Sequence, residues 1–370
     1  MNSYKNVAKI IEKSQEPILI VADFDEDGLT SAIQLKIILD KINKKEAKVY
    51  FRNVSIKYLA EYLKEMYKRY EYKTLIILDT PLPDEDLIKL AKELNNTKII
   101  YIDHHKDVIP ESLPENITYF DTKAIFKKDL CTSSIIYKIG KILFRKEFKK
   151  YSLIASIGAL SDWKLINDSE LLKDFKETYP TLYNGKYINY PMIFYILLFS
   201  YSNRYRILEN IDYVFNPYEF FSRVGVKNII KGLKNLEKEI KNIKLKYEDE
   251  DIEVYENKKG NDILPILLSV FKPNKVIVFY SPVIVSYIPG EGKIKSFIRK
   301  LVKKIIGSDQ YGIGIVTQRN DLDVSKFLIS FTKKYGIFGA GNKNYAGGRI
   351  YKKHFENLIR EIKNYIKQRI

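Results

Sequence analysis

The sequence predicts an α/β protein in two parts. An N-terminal parallel sheet with flanking helices and a cleft at its carboxyl edge is followed by a helical linker and a smaller C-terminal α/β domain. Three observations predict it. Short apolar, β-prone runs end in an aspartate at Asp23, Asp79 and Asp103. Helical patterns lie between those runs, and strand, helix, strand in alternation reads as a parallel sheet with crossover helices. After a long charged helical stretch, strand-like runs resume. The expected parts are residues 1–200, 201–247 and 248–370.

In chain order, Ile18 to Ala22 ends at Asp23, Leu75 to Leu78 at Asp79, and Ile99 to Ile102 at Asp103. Helical patterns cover 57–69 and 84–94. In open α/β sheets the ligand site lies beyond the carboxyl ends of the strands, so the three aspartates are expected along one edge. A further helical region runs from Cys131 through Leu160 and stops near Asp162. The Tyr-, Phe- and Asn-rich stretch 179–221 gives no assignment. Asn228 to Tyr247 reads as a charged amphipathic helix closed by "EDED" at 248–251. Strands are expected at 252–255, 275–280, 283–288 and 311–316, followed by a helix and a glycine-rich turn at 339–348.

The chain has 370 residues, and its 45% hydrophobic content excludes a disordered chain. A single cysteine, Cys131, excludes an internal disulfide and fits a reducing compartment. The longest apolar run, Met192 to Phe199, is far short of the roughly 20 residues that span a bilayer. With a polar N-terminus, these features lead to the expectation of a cytoplasmic protein without a membrane partner. The net charge of +17 favours polyanions such as nucleic acid. The same Lys- and Ile-rich composition also suits an AT-rich genome or a thermophile, archaeal by its overall cast.

Charge alone does not choose, so the site chemistry must. Asp23, Asp25, Glu26 and Asp27 crowd the lip of the first strand. An EF-hand loop is excluded, because Gln34 stands where a bidentate Glu is needed and the preceding segment is strand-like. Two of the three histidines, His104 and His105, directly follow Asp103. Mixed carboxylate and imidazole ligands suit Mn²⁺, or less specifically Zn²⁺ and Co²⁺; the expected cofactor is two Mn²⁺, with Mg²⁺ or Co²⁺ as alternatives. Five or more carboxylates exceed the needs of one ion and suit two ions in phosphoryl-transfer hydrolysis.

The D-x-D-x-D-G-L-T-S run from Asp23 to Ser31, the strand-end Asp79, Asp103-His104-His105 and the helix-end Asp162 together resemble the DHH phosphoesterase superfamily. The T-S form of the first motif resembles the RecJ-like nuclease branch. The resemblance implies that Asp23, Asp25 and Asp79 hold one ion. It implies that Asp27, Asp79, His104 and Asp162 hold the other, with Asp103 counted in the ligand group. His105 is implied to face the substrate phosphate, so that His105, Asp79 and Asp25 carry the catalysis. The second motif departs, with "DTP" at 79–81 where D-x-G is common. Trp163 reads as core, or as a stacking partner for a base.

In the C-terminal part, Thr317 and Arg319 resemble the S-x-R strand end of the family's associated domain. The run "GAGNKNYAGG" at 339–348 resembles its glycine-rich substrate turn. Without gaps Lys343 stands at the family's histidine; with a gap Asn342 does. The implied substrate-binding residues are Thr317, Arg319, Gly341, Asn342, Lys343, Gly347 and Gly348. The implied activity is an exonuclease on single-stranded DNA or RNA with two Mn²⁺, its substrate between the two domains, with a replication or repair protein as a possible partner. The alternatives are a nano-RNase or cyclic-dinucleotide phosphodiesterase, and a non-catalytic replication or repair scaffold.

Overall fold

Apolar runs such as Ile18–Ala22 and Leu75–Leu78 become strands buried on both faces, as strands of a parallel sheet covered by helices must be. A computed structural model describes the chain apart from residues 1–2, 53–55, 107, 163, 183–189, 258–267, 269–271, 273, 283–309, 318, 320, 342 and 370. The chain divides into two units, Met1–Gly232 and Leu233–Ile370.

In the first unit β1 (Ile18–Ala22), β2 (Ala47–Phe51), β3 (Thr74–Leu78), β4 (Lys98–Asp103) and β5 (Ile117–Asp121) form a parallel sheet of order β2-β1-β3-β4-β5. Ala22 pairs with Leu78, and Leu78 with Ile102. The ends of β1, β3 and β4 are therefore level, and Asp23, Asp79 and Asp103 emerge along one edge. Its helices are α1 (Tyr4–Glu12), α2 (Glu26–Lys41), α3 (Ile56–Tyr70), α4 (Asp84–Glu93), α5 (Thr122–Phe126), α6 (Thr132–Phe144), α7 (Ser152–Ser161), α8 (Ser169–Thr178), α9 (Tyr190–Tyr201), α10 (Arg204–Glu209) and α11 (Pro217–Val224), and α12 (Val226–Asn242) runs across the boundary from the first unit into the second. Leu59 and Leu63 of α3 and Leu87 and Leu90 of α4 share one apolar cluster with Leu19, Val21, Ile77 and Tyr101 of the sheet. Helix α2 packs against α6 and α7.

That packing sets the depth of the site. A Cβ on Gly158 of α7 would stand 2.2 Å from Thr30 Oγ1, 2.5 Å from Ser133 Oγ and 2.9 Å from Asp27 Oδ1. Overpacking of this kind costs about 1–3 kcal/mol. Gly158→Ala is expected to lose that much stability, read as a lower denaturation midpoint. An unchanged midpoint would mean that the three helices separate freely.

The structure differs from the sequence reading in four places. Strands β2 and β5 were not anticipated. The helical region from Cys131 is broken by a 3₁₀ segment at Arg145–Tyr151, which Arg145 enters with φ of 50°. The helix expected to reach Tyr247 stops at Asn242, because Ile243, Leu245 and Tyr247 alternate with charged residues and form a strand. The glycine-rich "turn" is mostly a paired hairpin.

That hairpin lies in the second unit. There β6 (Ile243–Glu248), β7 (Ile252–Asn257), β8 (Val276–Pro282), β9 (Gln310–Thr317), β10 (Gly336–Gly341) and β11 (Tyr345–Tyr351) form a mixed sheet of order β10-β11-β9-β8-β7-β6. Helices α13 (Val324–Tyr335) and α14 (Phe355–Lys367) share its core through Phe327, Phe331, Leu358 and Ile362. Gly339 pairs with Gly348, and Gly341 with Ala346. Gly341 has φ of 154°, and a Cβ there would meet Tyr345 O at 2.2 Å, so its glycine serves the hairpin's own geometry. The strand expected at 283–288, Trp163 and Asn342 lie outside the described residues.

Candidate metal centre

Where β1 ends, Asp25 caps α2 by accepting the Gly28 N–H at 2.8 Å. The first turn of α2 then carries Asp27 inward, where it is fully buried. Its oxygens accept the N–H groups of Thr132 at 2.8 Å and Ser133 at 2.9 Å. The N-terminus of α6 thus compensates a buried negative charge. Asp79, after β3, has φ of 52°, a left-handed backbone that L-residues enter at a cost and that clusters at functional sites. Its N–H donates to Ile102 O at 3.1 Å. Its Oδ1 accepts from Thr132 Oγ1 at 3.2 Å and lies 3.1 Å from His104 Nε2. Among the described residues, its Oδ2 is buried with no hydrogen-bond partner.

His104 gathers the acids. Its Nε2 lies 3.1 Å from Asp79 Oδ1, 3.1 Å from Asp162 Oδ2 and 3.7 Å from Asp27 Oδ2. On the other side of the ring, Lys164 Nζ stands 2.5 Å from Nδ1 and 2.9 Å from Asp129 Oδ1. With the ammonium donating, Nδ1 accepts and the ring proton sits on Nε2, toward the carboxylates; the same Nε2 lone pair serves a cation once that proton leaves. Asp103 is fully buried and accepts from Tyr101 Oη at 2.6 Å and from the His104 N–H at 2.8 Å. Its Oδ1 lies 2.7 Å from His105 Nδ1. This fixes the half-exposed His105 ring with Nε2 as its remaining nitrogen.

Burial and mutual repulsion work against the ionisation of several of these groups. Burial, then the Asp162 charge, pushes Asp27 up; burial, then Asp27 and Asp25, pushes Asp79 well up. Asp25 keeps an exposed edge, yet loss of water on its protein side, with Asp162 and Asp27 nearby, pushes it up to about 7. Burial opposes ionisation of Asp103 too, but the His105 hydrogen bond and charge hold it at about 2. The same opposition at Asp162 is overcome by His104 and Lys164, which hold it well below the usual carboxylate range.

A carboxyl raised on folding costs stability as pH rises from its unfolded value to its folded one. Asp25→Asn is therefore expected to raise the melting temperature of the metal-free protein above about pH 7, and to leave it unchanged below about pH 4. After allowance for solvent screening the gain is about 1 kcal/mol, or roughly 2–4 °C. A melting difference that grows toward low pH would contradict this sign.

The donor set fits a divalent cation. Ligand atoms of Asp27, His104 and Asp162 lie within 4.8 Å of one another, as do those of Asp79, Asp103, His104 and His105. An orphaned, buried Asp79 Oδ2 beside them is the feature a cation would satisfy. Asp23 behaves otherwise. Both its oxygens lie 2.6 Å from Arg52 Nη2, so a side chain already answers its charge. Arg52, Lys164, Asp129 and Thr132 were absent from the sequence reading. Of these, Lys164, a cation two residues beyond Asp162, was open to notice.

In the second unit, Thr317 is fully buried; its Oγ1 accepts the Arg319 N–H at 3.1 Å and donates to Lys275 O at 3.2 Å. Arg319 is held by Asp321 at 2.7 Å and Asp251 at 3.2 Å. The carbonyl of Lys343 accepts the first N–H of α13, from Val324, at 2.9 Å. Gly347 and Gly348 pair with Gly314 and Ile313 inside the sheet.

Residues 17–160 match the model of the DHH family, N-terminal domain. No curated protein matches the chain. A solved structure described as the DHH domain of a "member of s1p family of ribosomal proteins" is similar over 98% of this chain and 89% of its own, at 14% identity and a TM-score of 0.53. RecJ from Thermus thermophilus, in complex with Mn²⁺, is 11% identical with a TM-score of 0.49. That likeness covers 99% of this chain and 55% of that RecJ. An exonuclease RecJ bound to manganese is 11% identical over 99% of this chain and 94% of its own, with a TM-score of 0.47. The first of these likenesses, at 14% identity, speaks to the fold. The family model falls on the segment that carries β1 to β5 and the acids at their ends, and this segment of the chain, residues 17–160, is a DHH-family N-terminal domain.

Proposed function

We propose that the chain is a divalent-metal-dependent phosphodiesterase of the RecJ-like branch, acting as an exonuclease on single-stranded DNA or RNA. The observation that carries this reading is the buried Asp79 Oδ2, without a hydrogen-bond partner among the described residues, beside the carboxylates and imidazole that β1, β3, β4 and α7 bring together. Asp27, Asp79, His104 and Asp162 hold one ion, and Asp25 and Asp79, with Asp23 once it leaves Arg52, hold the second. Mn²⁺ suits this mixed donor set, with Mg²⁺ or Co²⁺ as alternatives. Such ions, when bound, neutralise phosphate charge and acidify water.

The protein's own groups do the rest. Asp103 orients His105 so that Nε2 can hold a proton or donate to a phosphate oxygen. The amides at the start of α6 aim Asp27 inward and partly offset the burial that works against its charge. In the second unit, Arg319 meets a phosphate only by exchanging Asp321 for it, and Lys343 adds a second cation. The excess of 63 basic over 46 acidic residues supports a polymeric polyanion over a dinucleotide.

The test is digestion of an end-labelled oligonucleotide, as DNA and as RNA, with Mn²⁺. Release of mononucleotides, binding that weakens steeply with salt, and ten-mers bound well above dinucleotides are expected. Equal affinity for both lengths would favour a nano-RNase or cyclic-dinucleotide phosphodiesterase. One observation favours a non-catalytic replication or repair scaffold: Arg52 and Lys164 already neutralise part of the centre. Tight strand binding without any cleavage would decide for it.

A further inference from the structure

Phe24 stands between Asp23 and Asp25, and 53% of it is exposed. Single exposed aromatics are ordinary, but this one is fixed on three sides. Its N–H donates to Asp23 Oδ1 at 2.5 Å, and Asp23 is itself gripped by Arg52. Its carbonyl accepts from Arg204 Nε at 3.2 Å and Nη2 at 3.0 Å. The same guanidinium lies against the ring, its carbon 4.7 Å from the centroid, a cation–π contact. Arg204 is 7% exposed and spends its remaining described bonds on the carbonyls of Phe199, Ser200 and Ser202. The arginine is thus anchored to the end of α9. It acts as a backing for the ring.

A ring held by both of its backbone groups and backed on one face is preorganised, so a ligand that stacks on it avoids the cost of ordering a loose side chain. We propose that Phe24, backed by Arg204, is a stacking platform for the base of the nucleotide whose phosphate lies at the carboxylate–histidine centre. The proposal rests on the phosphodiesterase reading and deepens it, because it assigns a contact to the base. Every base has a π-face, so the contact tolerates any sequence. Base stacking on an aromatic side chain corresponds to roughly tenfold to a hundredfold in affinity.

The test compares binding of 5′-dAMP and of 2-deoxyribose 5-phosphate to the full chain by calorimetry, with Mg²⁺ present. Wild type is expected to prefer dAMP by roughly tenfold to a hundredfold. Phe24→Ala should erase that preference while the sugar phosphate still binds, which also verifies that the variant is folded. Phe24→Trp should keep the preference, and its added indole emission should be quenched by dAMP and not by the sugar phosphate. Equal affinities in wild type, no binding of either ligand, or a preference that survives Phe24→Ala would each overturn the platform. Hydrolysis is read separately, on a normal and an abasic oligonucleotide. A chain that prefers dAMP but cleaves neither keeps the platform and loses the phosphodiesterase reading; a chain that cleaves both equally and shows no preference does the reverse.

Discussion

Asp79→Asn is expected to abolish hydrolysis, to reduce bound divalent cation and, at the same time, to make the metal-free protein more stable. The three effects share one cause. Asp79 is buried to 1% exposure with a left-handed backbone, one oxygen shared between His104 and Thr132, and the other without a hydrogen-bond partner among the described residues. Burial and the nearby Asp27 and Asp25 charges already push its carboxyl well up. Asparagine keeps the shape and removes the repulsion, so the metal-free melting temperature should rise at pH 8, where the unfolded carboxyl is ionised, and not at pH 4. The same change removes a ligand shared by both proposed ions. Loss of several kcal/mol of transition-state stabilisation corresponds to a rate lower by on the order of 10³-fold. Turnover with Mn²⁺, equilibrium dialysis of the cation and a pair of melting curves check the three effects. Undiminished hydrolysis by Asp79→Asn in the presence of chelator would sink the metal-centre reading.

Lys164→Met should have the opposite effect on the metal-free protein. Lys164 is 4% exposed and sits among His104 Nδ1, Asp129 Oδ1 at 2.9 Å and Asp162 Oδ2 at 3.8 Å. Burial alone works against its charge, but Asp162 and Asp129 raise its pKa, so the ammonium is the resident cation beside an acidic cluster. Methionine fills a similar volume and leaves the carboxylates uncompensated. Removing one partner from a buried ionic network costs about 3–5 kcal/mol, which at roughly 2–4 °C per kcal/mol lowers the melting temperature by about 6–20 °C. Saturating Mn²⁺ should return part of that loss, because a bound cation supplies the missing positive charge, so the metal-induced rise in melting temperature should be larger in the variant than in wild type. Equal melting temperatures without metal would show that Lys164 has no such role. A rise on adding Mn²⁺ that is no larger in the variant would show that Lys164 and the metal act on separate parts of the molecule.

Much of the first unit was legible in the sequence, because its strands carry their own signal. A strand buried on both faces must be apolar without interruption, and it ends where the chain reaches the sheet edge. Ile18–Ala22, Leu75–Leu78 and Ile99–Ile102 announce both the strand and the acid that follows it. Their parallel order and level ends then bring Asp23, Asp79 and Asp103 to one edge. The motif from Asp23 to Ser31 and the adjacent His104 and His105 stood out for the same reason, since charges and imidazoles at the lip of an apolar run need a partner.

Tertiary structure alone decided what answers those charges. Arg52 reaches Asp23 from 29 residues away, Arg204 reaches the Phe24 carbonyl from 180, and the amides of Thr132 and Ser133 meet Asp27 from 105 and 106. No local period encodes such contacts. They depend on how α2, α6 and α7 pack, which Gly158 sets by letting α7 close on Thr30, Ser133 and Asp27. Edge strand β2 was missed because only its end residues, Ala47 and Phe51, are buried, so it lacks the continuous run that marked its neighbours. In the second unit, the glycines that read as an anion-binding turn are spent on hairpin pairing, and Arg319 is spent on Asp321 and Asp251. The sequence determined which acids and imidazoles meet at the sheet edge, because burial and chain direction are written locally. The packing of distant segments determined which of those charges are already paired, because a cation's partner is fixed by space and not by spacing along the chain.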